Sequence, residues 1–92
     1  MKIILRRKLK DYNAWKKMAQ EKIELRRQYG SKGATIYRSV KDPNEVFVVF
    51  DWDDARSYKE YFERPDVRKF LADTEIIPTE IHEVSESFSL EA

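Results

Sequence analysis

The chain contains no cysteine and a single histidine, His82. The first absence excludes a disulfide scaffold, a cysteine-ligated zinc or iron–sulfur centre and a thiol nucleophile; one imidazole per chain excludes a multi-histidine metal site. No metal is expected. With only two glycines, Gly30 and Gly33, there is no glycine-rich phosphate loop and no GxxxxGK[ST] pattern. An excess of either charge is also missing. Charged residues make up 38% of the sequence, above the usual ~25%, but 18 Lys and Arg nearly cancel 17 Asp and Glu. No overall field draws the protein to nucleic acid or to an anionic membrane. The longest apolar run is Val46 to Phe50, far short of the ~20 residues of a membrane span, and the N-terminus lacks the apolar core and cleavage site of a signal peptide. A soluble, cytoplasmic protein is expected.

What is present fits one small module, because 92 residues leave room for one modest core. The domain is expected over residues 1–88, with 89–92 as a C-terminal tail. From Lys2 to Leu9, Ile3, Leu5 and Leu9 share one parity, interrupted by Arg7, which reads as a strand. A helix follows, capped by Asp11 and closed by Gly30, with Tyr12, Trp15, Met18, Ala19, Ile23, Leu25 and Tyr29 on one broad side. Gly33 to Val40 reads as a second strand, and Lys41 to Glu45 as a turn built on Pro43 and the local bonding of Asp42 and Asn44. The return strand, Val46 to Phe50, is apolar on both parities, which is expected when both faces of a sheet are covered.

Asp53 or Asp54 caps a second helix carrying Ala55, Tyr58, Tyr61 and Phe62, which Arg64-Pro65 should break before Val67, Phe70 and Leu71 continue it. Thr79 to Phe88, after Pro78, has strand character. The order βαββαβ predicts an α+β, ferredoxin-like fold: a four-stranded antiparallel sheet with two helices on one face. The other face would then expose Phe and Val from the third strand. Monomers rarely tolerate such a patch, so a homodimer packed sheet against sheet is expected.

Lys22 lies near the middle of the apolar arc of the first helix, where leucine would be ordinary, and Arg26 lies one turn further on. Both stems could run along apolar surface and carry their charges to water. Alternatively a cation stands inside a pocket, where it would bind a carboxylate or phenolate. Trp15, Tyr37, Trp52, Tyr58 and Phe62 come from two helices and two strands. They are core residues or the walls of an aromatic cavity suited to a flat ligand. Together with Lys22 and His82 they are expected to border one pocket between helices and sheet. His82 has no nucleophile signature beside it, so a hydrolytic triad is excluded. Asp51, Asp53 and Asp54 are explained by capping at a strand-to-helix junction.

Several features in combination resemble the antibiotic biosynthesis monooxygenase-like family of dimeric α+β barrels. They are Trp15, Arg26 and Gly30, Ile36-Tyr37-Arg38, Asp42-Pro43-Asn44-Glu45, Val48 to Trp52-Asp53-Asp54, and Arg64-Pro65-Asp66-Val67. The resemblance spans residues from about 1 to 85. It implies a dimeric barrel and, in one branch, oxygenation of aromatic or enolic substrates without a cofactor. Haem-degrading members carry an Asn in the first strand, a Trp early in the second helix and a His late in it. This chain has Arg6 and Arg7, Tyr61 and Phe62, and Leu71 and Ala72 in those segments, so that route is not expected. Oxygenation of the first kind needs a base and an anion stabiliser, for which His82 is the candidate base and Lys22, Arg38 or Trp52 the candidate stabilisers. The alternative is a barrel that holds a small metabolite without catalysis. An RNA-recognition domain of the same strand order is disfavoured, because the third strand lacks the basic-Gly-aromatic signature.

Overall fold

The computed structural model describes residues 1–76 and 80–91. Strand β1 (Lys2–Lys8) leads into helices α1 (Tyr12–Glu21) and α2 (Ile23–Tyr29), then strands β2 (Ser31–Arg38) and β3 (Glu45–Trp52), helices α3 (Ala55–Phe62) and α4 (Pro65–Thr74), and strand β4 (Glu80–Val84). All neighbours in the sheet are antiparallel and the order is β2-β3-β1-β4. This is the expected ferredoxin-like α+β arrangement, with each of its two helices divided.

The division of the first helix at Lys22 has a local cause. Asp11 caps α1 as anticipated, accepting from the Ala14 N–H at 3.0 Å. At the far end, the Lys22 N–H reaches back only to the Ala19 carbonyl, at 3.3 Å, and the Arg26 guanidinium donates to that same oxygen at 2.7 Å. A side chain that takes over a helix carbonyl is a recognised source of such breaks. Gly30 then terminates α2 with φ of 115°, a conformation that strains any residue bearing a Cβ.

The second division falls where proline places it. Arg64 is extended, and Pro65 stands in the first turn of α4, where its missing N–H costs nothing. The Arg64 guanidinium ties the break to α2 through the Tyr29 hydroxyl, at 2.7 Å. Of the two aspartates considered for the α3 cap, Asp54 serves, accepting from the Ser57 N–H at 2.8 Å.

Several strand boundaries differ from expectation: β1 ends at Lys8 rather than Leu9, β2 begins at Ser31 rather than Gly33, and β3 runs from Glu45 to Trp52 rather than from Val46 to Phe50. β2 ends at Arg38 rather than Val40, because Ser39 Oγ accepts from the N–H groups of Lys41 and Asp42 and so begins the turn early. β4 ends at Val84 rather than Phe88. Val84 pairs with Lys2, the first residue of β1, and the pairing stops there. Residues 85–91 carry no regular structure, and Phe88 and Leu90 are exposed. The expected start of that strand at Thr79, after Pro78, and the terminal Ala92 lie outside the described residues.

The core lies between the central strands and the helices. Ile3, Leu5 and Leu9 meet Val46, Val48, Phe50 and Trp52 on one side, and Trp15, Tyr58, Tyr61, Val67 and Phe70 on the other. The opposite face of the sheet carries Ile4, Phe47 and Val49 side by side, with Tyr37 across from Phe47. β2 differs from the other strands of the sheet. It lies at an edge and is exposed over nearly its whole length.

Candidate functional site

That exposure leaves a cleft of about 770 Å³ between α1–α2 and the helix-facing side of β2. Its size is within the usual range for small-molecule sites. Two rows of the helical wall are distinct. Tyr12, Trp15, Ala19 and Arg26 are buried or half-buried on the inside, whereas Lys16, Gln20, Ile23 and Arg27 are exposed at the rim. Across from them stand Ala34 and Ile36, with Ser31, Lys32 and Gly33 at one end. The space exists because Ala19, Gly33 and Ala34 supply almost no bulk where a filled core would have leucines. A register shift between Ser31 and Gly33, with Gly33 at φ of 126°, shapes that end of β2.

Among the described residues the lining contains four cations and no carboxylate. Two of these cations are neutralised at the surface, Arg27 by Glu24 at 2.7 Å and Lys32 by Asp53 at 3.7 Å. Lys16 and Arg26 have no carboxylate partner among the described residues. Arg26 also lines a smaller void of about 50 Å³ that continues inward toward Arg7, Phe62, Val67 and Phe70. Next to it is Tyr61, whose phenol burial holds above its ordinary range; the charge of Arg26 acts in the opposite direction.

Trp15 lines the cleft as expected, and Phe62 lines its inner extension. The remaining expected residues are elsewhere, so the single pocket anticipated from the sequence is not assembled. Tyr58 borders a separate hollow on the β4 side, with Arg7, Phe62 and Ile81. Trp52 is wholly enclosed, edge-on to Tyr58 at 5.6 Å between centroids, and its indole N–H has no acceptor among the described residues. Tyr37 stands on the opposite face of the sheet because its register partner is Phe47. The same parity puts His82 there, with Nε2 3.0 Å from Glu80 Oε1. Lys22 lies against α4, with its ammonium 5.9 Å from the Phe70 ring centre. Arg38 acts from behind the cleft. Its guanidinium stacks 3.9 Å from the centre of the Tyr12 ring, and Nε donates to the Pro43 carbonyl at 2.7 Å.

Arg26, Ala19, Ala34 and Ile36 shape the site more than most residues singled out from the sequence. Ala34 and Ile36 alternate with exposed Thr35 and Tyr37, and that period-two pattern was the available signal. Arg7 was visible only as an interruption in the apolar parity of β1; it is buried, paired with Glu75, with its guanidinium 5.7 Å from the Phe62 ring centre.

Among the described residues no helix is long and apolar enough to cross a membrane. No curated protein matches the chain. Among solved structures it is similar to a candidate antibiotic biosynthesis monooxygenase from Bordetella bronchiseptica, with a TM-score of 0.78 at 14% identity over 95% of this chain and 96% of that one. It is also similar to SnoaB, a cofactor-independent oxygenase from Streptomyces nogalater, with a TM-score of 0.71 at 11% identity over 94% and 93% of the two chains. A candidate antibiotic biosynthesis monooxygenase from Nitrosomonas europaea gives a TM-score of 0.71 at 17% identity over 96% and 100%. At these identities the likeness is one of fold. The sequence match is more specific: the family described as antibiotic biosynthesis monooxygenase covers residues 11–73, more than half of the chain. The chain therefore belongs to the antibiotic biosynthesis monooxygenase family.

Proposed function

We propose that the protein is a cytoplasmic, homodimeric monooxygenase that oxidises an aromatic or enolic small molecule without a cofactor, in the cleft between α1–α2 and β2. The cleft is the observation that carries this reading: an aromatic and aliphatic slot, walled by Tyr12, Trp15, Ala34 and Ile36, in a positive local field. Such a substrate is its own reductant. A methylene activated by neighbouring rings or carbonyls loses a proton, and the carbanion, spread onto an oxygen, passes electrons to dioxygen. One oxygen atom ends in the new carbonyl and the other in water, so CH₂ and O₂ give C=O and H₂O. The protein has to hold the flat anion and lower its energy, and unneutralised cations beside an apolar wall do both.

A purely binding role draws support from one feature of the same site. Among the described residues its lining has no His, Asp or Glu to take the proton, and of the residues expected to carry chemistry Arg38 alone adjoins the cleft, through Tyr12. In the catalytic reading the proton leaves to solvent from a substrate already acidic. Incubation with a series of anthrones and electron-rich phenols under ¹⁸O₂, with no added cofactor, separates the two. A product carrying one labelled atom supports the enzyme; tight binding with no labelled product across the series supports the binding protein.

A further inference from the structure

We propose that the cleft selects ligands bearing a permanently ionised acidic head group, seated on Arg26, with the apolar body lying between Trp15 and the Ala34–Ile36 side of β2. The proposal rests on the reading of the cleft as the ligand site and narrows its substrate class to aromatic acids or acid esters. In a chain whose charges nearly cancel, a lining of four cations and no carboxylate is a local asymmetry. The one half-buried member of that set is Arg26, at the junction of the cleft and its inner void. Its hydrogen-bond partner is the neutral Ala19 carbonyl, and the Tyr61 phenol beside it in the inner void is kept neutral by burial. A guanidinium has five N–H donors, so it retains capacity for an anionic oxygen. Lys16, also without a carboxylate, adds charge at the rim. The volume suits a body of two or three fused rings.

The distinguishing probes share one ring system: 2-naphthoate, 2-naphthyl phosphate and the neutral methyl 2-naphthoate, titrated calorimetrically into the full chain. Both anions should bind at least tenfold more tightly than the ester, the scale expected when a hydrogen bond to a charged group is gained. Either order of the two anions supports the proposal, and the tighter one names the head group. Arg26→Gln should bring the anions to the level of the ester and leave the ester within twofold, and Arg26→Lys should keep part of the preference. Because Arg26 also holds the Ala19 carbonyl, two arms avoid it. Raising salt from 50 to 500 mM should erode the anion preference of the unaltered chain, and Ala34→Trp should abolish binding of all three probes. Equal affinity for ester and naphthoate, an anion preference that survives Arg26→Gln, binding indifferent to Ala34→Trp, or no naphthoate binding at millimolar concentration would each overturn it. Oxygen chemistry is not read in this experiment. A chain that binds naphthoate through Arg26 and oxidises nothing leaves the proposal standing and removes the monooxygenase reading.

Discussion

Arg7 of β1 and Glu75, at the end of α4, form an ion pair on the helix side of the sheet, where Arg7 is only 4% exposed. Desolvating two charges is expensive, and their attraction roughly repays it only while both are present. Replacing Arg7 alone takes the paired guanidinium away from a Glu75 carboxylate that is itself only 11% exposed. Arg7→Met should cost about 3–5 kcal/mol in urea unfolding, a large share of the stability of a small domain. The double variant Arg7→Met with Glu75→Met should lose less than Arg7→Met alone. If the two substitutions simply added, the pair would have no energetic link.

The apolar stripe of Ile4, Phe47 and Val49 bears on assembly. Phe47 is 38% exposed on a face that no helix or strand among the described residues covers. If the stripe is the interface of a homodimer, with a total buried area above roughly 1,200 Å², sedimentation at micromolar concentration should give a dimer. Phe47→Glu should give a folded monomer. A wild-type monomer, or a dimer unaffected by Phe47→Glu, would contradict the assignment.

Much of this architecture was legible in the sequence because it follows from local chemistry. Asp11, Gly30 and Pro65 act within a turn of their own positions, and the parity of β1 and β3 is set by burial on one face. The break at Lys22 was not legible, since it depends on Arg26 folding back onto the Ala19 carbonyl. The candidate site was read less well for a related reason. Aromatic residues mark where bulk is, whereas a cleft lies where bulk is missing; Ala19, Gly33 and Ala34 look unremarkable one at a time. Strand parity could have separated His82 and Tyr37 from the cleft, but only with the register of β4 on β1 and of β2 on β3 in hand.

Stability should fall at both ends of the pH scale, for separate reasons. Burial raises the Tyr58 and Tyr61 phenols, against the opposing charges of Arg7 and Arg26 respectively. Their ordinary value is 10.0, so above it the unfolded chain ionises first, and the stability present below that pH is lost as pH rises. At the acid end, a hydrogen bond from Lys8 holds the Asp42 carboxyl below its ordinary 3.8, and one from Arg64 does the same for Asp66. Their contribution is present above that value and disappears as pH falls below it. Thermal unfolding between pH 2 and 12 checks both limbs. Tyr58→Phe with Tyr61→Phe should flatten the alkaline limb, and Asp42→Asn with Asp66→Asn the acid one.

Gly30 provides a test of the α2–β2 corner. A Cβ there would lie 2.9 Å from Asp53 Oδ2 as well as forcing a side chain into φ of 115°. Asp53 can turn away, but the backbone cannot relax without moving β2. Gly30→Ala should therefore lower stability by about 1–2 kcal/mol, and adding Asp53→Ala should not restore it. Full recovery in the double variant would show that the contact, not the dihedral, sets the requirement.

The central claim is that substrate oxidation takes place in the cleft beside β2, and oxygen uptake tests it most directly. Rates would be measured with an oxygen electrode for the wild type and for Ala34→Trp, over a series of anthrones and electron-rich phenols with no cofactor added. Ala34 is exposed on an edge strand, so the larger ring should fill the cleft without disturbing the core. The account predicts uptake above the uncatalysed rate for at least one substrate in the wild type, reduced by at least tenfold in Ala34→Trp with its unfolding temperature preserved. Uptake equal in the two proteins, or none above background with any substrate in the series, would contradict it.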